Sequence, residues 1–120
     1  MSRILRFAEM YHQHDHDATI ALTTTVAGAV LAIPVTHMYV AKTTGGVEVL
    51  TLADGKPGQV LIINHVTDGG NGTLIPTTTT GFTTVNLAAA GDQVVLFFVD
   101  SIVGWIILST FGLTEQPTVA

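Results

Sequence analysis

The chain contains no cysteine. It therefore has no disulfide framework, thiolate metal site or cysteine nucleophile, a composition compatible with a reducing compartment. Basic residues are nearly as scarce, with four Lys and Arg against nine Asp and Glu, for a formal net charge of −5. A nucleic-acid partner needs a basic footprint to neutralise phosphates, and this chain has none to offer. Charged residues of both signs make up only 11% of the 120 positions, while 48% are hydrophobic. An ordinary soluble domain carries about 25% charged residues. A surface so poor in charge adheres to others when it faces water. The deficit points to a surface covered by self-association or by a larger assembly.

The usual marks of catalysis are also missing. Serine occurs only as Ser2, Ser101 and Ser109, none of them in a Gly-x-Ser-x-Gly setting. The loop from Gly69 to Gly72 lacks the Lys-Ser/Thr and the helix of a phosphate-binding loop. Asp54, Asp68, Asp92 and Asp100 all fall at turn signals, where a carboxylate serves its own backbone. Residues 1–18 lack an apolar segment of the kind a signal peptide needs. The chain is not expected to be an enzyme or to carry a cofactor.

What the sequence does have is one long apolar stretch, GDQVVLFFVDSIVGWIILSTF, from Gly91 to Phe111, which holds the only tryptophan, Trp105. Asp100-Ser101 divides it, a pair suited to turns. On either side, Val94–Val99 and Trp105–Leu108 are rich in β-branched and aromatic residues, which fit a pleated surface better than a helix. Two antiparallel strands joined by a short loop are expected. A membrane-spanning helix is disfavoured, because Asp100 would sit near its centre and glycines 91, 104 and 112 punctuate it. Period-2 geometry sends Val94, Leu96 and Phe98 to one face and Val95, Phe97 and Val99 to the other. Both faces are apolar, so this hairpin is expected to be covered twice, by a second sheet and by a neighbouring subunit.

Further strand-sized runs are Thr19–Thr25, Thr36–Thr43, Val47–Leu52, Gln59–Val66 and Thr83–Leu87, with a short one at Thr73–Pro76. Gly45-Gly46, Asp54–Gly58 and Asp68–Gly72 provide the turns between them. No helix is expected between Ala18 and Leu113, and no strict internal repeat is visible. Short strands at this spacing predict an all-β fold, a jelly-roll-like β-sandwich or barrel. Residues 1–18 read as an extended N-terminal arm, 19–113 as the β-sandwich domain, and 114–120 as a C-terminal tail that frays. In the arm, Ile4, Leu5 and Phe7 are candidate anchors on a partner. His12, His14 and His16 share one face of an extended segment and read as a solvated arm or partner contact, with a transition metal as the alternative that imidazole suits. They do not match the two-metal His-x-His-x-Asp-His motif. His37 and His65, each within a strand, read as structural.

The second half carries a recognisable layout. It runs TLADGKPGQVLIINHV (Thr51–Val66), TLIPTTTTGFTTVNL (Thr73–Leu87) and GDQVVLFFVDSIVGWIILSTFG (Gly91–Gly112). A glycine turn, a strand ending near Asn64, a Thr-Leu-x-Pro segment, a Gly-Asp start and a late Gly-Trp resemble small virion proteins of tailed bacteriophages. These are capsid decoration, or cement, proteins and related head or tail knobs. The resemblance implies a trimeric β module on the capsid surface, assembled in the host cytoplasm, that braces the major capsid protein. Candidate oligomer or capsid interface residues are then Phe97, Phe98 and Trp105, together with the three apolar arm residues. The alternative is a tail or spike tip that binds a host glycan or receptor. Neither reading calls for a nucleic acid or a membrane.

Overall fold

The computed structural model of the protein describes residues 17–23, 30–113 and 117–118. Within them the chain is all-β, with strands β1 (Asp17–Thr23), β2 (Val30–Ala32), β3 (His37–Thr43), β4 (Glu48–Leu52), β5 (Val60–Thr67), β6 (Gly72–Pro76), β7 (Val85–Leu87), β8 (Gln93–Phe98) and β9 (Trp105–Phe111). The strands form two sheets, one in the order β1-β3-β5-β8-β9 and the other in the order β2-β4-β6-β7. The apolar run from Gly91 to Phe111 is thus a strand pair, with β8 and β9 antiparallel. Among the described residues no helix is long and apolar enough to cross a membrane.

The first six strands alternate between the sheets, odd-numbered strands in one and even-numbered in the other. Within each sheet successive strands run parallel, β1 to β3 to β5 and β2 to β4 to β6. The chain therefore winds as a flattened coil whose rungs stack on one another. Tyr39 pairs with Thr19 in the rung before and with Ile62 in the rung after. These are spacings of about 20 residues, in the range of solenoid repeats. The coil ends when β7 turns back antiparallel to β6, and when β8 joins the larger sheet antiparallel to β5 with β9 antiparallel to β8 beyond it.

This pairing corrects two expectations. A jelly roll is an antiparallel architecture and a barrel has no open edges. Among the described residues both sheets are open and six strands form parallel ladders. The backbone also repeats where the sequence shows no strict repeat, because stacking needs only matched apolar parity and permissive turns. The expected arm lies outside the described residues except for Asp17 and Ala18, which open β1. Thr118, placed in a tail expected to fray, forms an antiparallel bridge with Thr84. Its carbonyl accepts the Thr83 N–H at 2.7 Å, and its N–H donates to Thr84 O at 3.0 Å.

Inward-facing side chains of both sheets meet in one core. Val40, Leu61, Ile63, Val94, Leu96 and Phe98 come from the larger sheet, and Leu50, Leu52, Leu74, Val85 and Leu87 from the smaller. Burying each such side chain contributes about 1.5–3 kcal/mol. The alternation is clean in β5 and β8, where every second residue is buried up to His65 and Phe98. The other side of the larger sheet carries the rows Tyr39–Ile62–Val95–Ser109, Val60–Phe97–Ile106 and Ala41–Asn64–Gln93–Phe111. A bulge between Val95 and Leu96 shifts the register on β9 and leaves Leu108 exposed.

Rung stacking brings the turn after β5 onto the turn after β3. A Cβ on Gly69 would lie 2.2 Å from Thr44 O, and one on Gly70 would lie 2.3 Å from the Gly46 carbonyl carbon. These are contacts with backbone, which cannot rotate out of the way. Gly58, by contrast, has φ +89° and open space around its missing Cβ. Gly70→Ala is expected to cost about 1–3 kcal/mol from overpacking, and more than Gly58→Ala, which carries only the left-handed penalty. Urea unfolding of the two variants checks the order.

Candidate functional site

The densest group of polar side chains lies at this stacked corner. Lys42 continues the inward parity of Val40 on β3, and Glu48 is the first residue of β4, across the turn. Both are buried, and Lys42 Nζ lies 2.9 Å from Glu48 Oε1. Oε1 accepts no aligned hydrogen bond, so this contact is Coulombic rather than directional. Nζ also donates to Thr43 O at 2.7 Å, and the Gly45 N–H donates to Glu48 Oε2 at 3.0 Å. The pair therefore clamps the turn from both ends.

His65 pairs in register with Lys42 from the next strand and is fully buried. Its Nε2 lies 3.0 Å from Thr44 Oγ1. That hydroxyl donates its single proton to Gly70 O at 2.6 Å and accepts the Gly69 N–H at 3.1 Å. A hydroxyl has one proton to give, so it accepts from the ring, and His65 carries its proton on Nε2. Thr44 Oγ1 thus ties two turns and a strand together through three hydrogen bonds. His65 Nδ1 is left buried without a hydrogen-bond partner. Asp68 Oδ1, 3.9 Å from Nε2, is too distant to compete and instead accepts the Gly70 N–H.

A second junction is built on Trp105. Its indole N–H donates to Ala53 O at 3.0 Å, and its ring meets Phe98 edge-on, with centroids 5.2 Å apart. Its backbone N–H donates to Thr78 O at 2.9 Å, and its carbonyl accepts the Thr80 N–H at 3.1 Å. Gly104 precedes it at φ +75°, where a Cβ would lie 2.2 Å from Thr78 O. The threonine run is thereby laced along the start of β9, and Gly104-Trp105 is a packing device.

The expected site residues fall into three groups. Phe98 and Trp105, expected at an interface, are 1% and 0% exposed within the chain's own core. Their apolar surface is already buried, which corrects that assignment. Phe97 points the other way, is half-buried, and is not part of the core cluster. Ile4, Leu5, Phe7, His12, His14 and His16 lie outside the described residues. Among the described residues no group of three or more His, Asp or Glu could hold a metal ion.

Three of the four turn aspartates, Asp68, Asp92 and Asp100, serve their own backbone as expected. Asp92 Oδ2 accepts the Ala88 and Ala89 N–H groups at 2.9 and 3.0 Å. Asp100 Oδ1 accepts those of Ile102 and Val103 at 2.9 and 2.7 Å. His65 is structural but satisfied at only one nitrogen.

Sequence reasoning did not pick out Lys42, Thr44, Glu48 or Gln59, all of them buried. Gln59 joins two loops, since its Nε2 donates to Val35 O and its Oε1 accepts the Lys56 N–H. One signal was present for the ion pair. Lys42 shares strand parity with Val40, so a charge stood on a core face with a carboxylate just past the next turn. No protein-family model matches the chain, and no curated protein matches it in sequence.

The polar groups at both junctions bond mainly to one another and to backbone. Removing one partner of a buried ion pair strands the other charge, at a cost of about 3–5 kcal/mol. Lys42→Met alone is expected to destabilise the fold by that amount. Lys42→Met combined with Glu48→Gln, which keeps an acceptor for the Gly45 N–H, is expected to recover most of it. A double-mutant cycle by urea denaturation measures the coupling.

Proposed function

We propose that this protein is a structural virion component, a capsid decoration protein that assembles as a homotrimer and braces the head of a tailed phage by binding the major capsid protein. The observation that carries the reading is the outer face of the larger sheet, where Val60, Ile62, Val95, Phe97 and Ile106 lie outside the chain's own core. A protein with 11% charged residues and such a face is suited to contact with other proteins. The polar clusters support the same reading, because their groups are engaged in holding turns. The layout from Thr51 to Gly112 that resembles decoration proteins supports the capsid as the partner. Mechanically, a stacked coil is a stiff spacer, and many modest contacts repeated over a lattice add through multivalency.

The test is sedimentation with mature phage heads stripped of the protein. It is expected to pellet with the heads to a saturating ratio and to raise the temperature at which they release DNA. Protein left in the supernatant at every ratio overturns the reading. Mass spectrometry of virions is expected to show a high-copy head component. A few copies at the tail would instead support a receptor-binding tip.

A further inference from the structure

We infer that the outer face of the larger sheet is a self-association surface, and that its occupant is the same face of a second copy of this chain. The inference rests on the self-association in the reading above and not on the capsid, and it makes a face-to-face pair, not a trimer, the unit that this surface forms.

The first argument is charge. The rows through Tyr39, Ile62 and Val95, through Val60, Phe97 and Ile106, and through Asn64 and Gln93 contain no Asp, Glu, Lys or Arg. The nearest acidic position in register is Asp17, opposite His37 at the start of the strands. The exposed charges among the described residues, Asp54, Lys56 and Asp68, lie in loops. Copies that each carry a net charge of −5 repel one another. They can meet closely only where that charge is absent. An uncharged face is self-compatible, whereas a basic partner would find nothing on it to pair with.

The second argument is area. Five strands at about 4.8 Å spacing, each presenting about six residues at about 3.3 Å, make a face of about 24 by 20 Å. That is about 500 Å² per copy, or about 1,000 Å² in all, at the threshold of a biological interface. Two such faces would pack about 10 Å apart, as sheets do in a sandwich.

The third argument is contrast with the smaller sheet. Its outer rows, Val30–Val49–Thr73–Asn86 and Ala32–Thr51–Ile75, set polar residues among the apolar ones, and the exposed Val30 stands on an edge strand. The larger sheet alone offers an aromatic and aliphatic centre, with Phe97 between Val60 and Ile106.

The experiment measures mass in solution by analytical ultracentrifugation of the full chain. The wild type is expected to be oligomeric at micromolar concentration. Phe97→Asp, and independently Ile62→Glu, are expected to weaken association by at least about 30-fold, as loss of an interface hot spot does. Thr73→Lys on the smaller sheet is expected to leave it unchanged. Near-ultraviolet circular dichroism from Trp105 is expected to stay native in all three, because these side chains point away from the core. A monomeric wild type at about 100 µM overturns the inference, as does an oligomer of unchanged mass in both folded variants. Loss of oligomer in the variants upholds it even if the head-binding experiment fails. A monomeric wild type whose head binding is abolished by Phe97→Asp would replace the second copy with the capsid as occupant.

Discussion

The fold depends on how closely one turn can lie on the next. Where the turn after β5 rests on the turn after β3, backbone meets backbone and leaves no room for a Cβ at Gly69 or Gly70. Thr44 fixes that contact by bonding the Gly69 N–H, the Gly70 carbonyl and the His65 ring. Without this seating, β5 could not sit beside β3, nor β6 beside β4. The last two parallel ladders meet at a few atoms in one corner of the coil.

The same corner explains why a chain so poor in charge buries an ion pair. Lys42 and Glu48 hold the two ends of the turn from Thr43 to Val47 that carries Thr44. A buried pair of this kind contributes little net stability compared with apolar residues of similar shape. Its value here is positional, since it sets where Thr44 stands when the next rung arrives. At the other end of β5, Trp105 plays a comparable part with a large apolar ring and one donor. It joins the loop at Ala53, the threonine run and β9, and polar and apolar means thus serve one purpose.

Most strands were legible from the sequence, because β-branched runs and period-2 alternation mark them locally. Val94, Leu96 and Phe98 were assigned to one face and lie buried together. Asp68, Asp92 and Asp100 were legible for the same reason, since their bonds reach only two to four residues. Apart from β8 with β9, the partner of each strand was not legible. Gly45-Gly46 and Asp68–Gly72 look like hairpin loops, but each hands the chain from one sheet to the other. Pairing is then decided about 20 residues away, and no local signal records it. The second strand, Val30–Ala32, is too short to stand out before Pro34. The roles of Phe98 and Trp105 were misjudged because burial within a chain and burial against a neighbour demand the same residue types. Only strand parity separates them, and it puts Phe97 alone on the outer side.

The antiparallel closure by β8 and β9 also bears on how the protein is made. β8 is the only strand that covers the far edge of β5, and it follows β5 in the chain by some 25 residues. During synthesis β5 therefore leaves the ribosome with an open backbone edge. The coil can begin to wind while translation continues, but it cannot be sealed until Trp105 has emerged. In that interval a second nascent chain offers the same β5 edge, and crowded polysomes become the setting in which mispairing competes with folding.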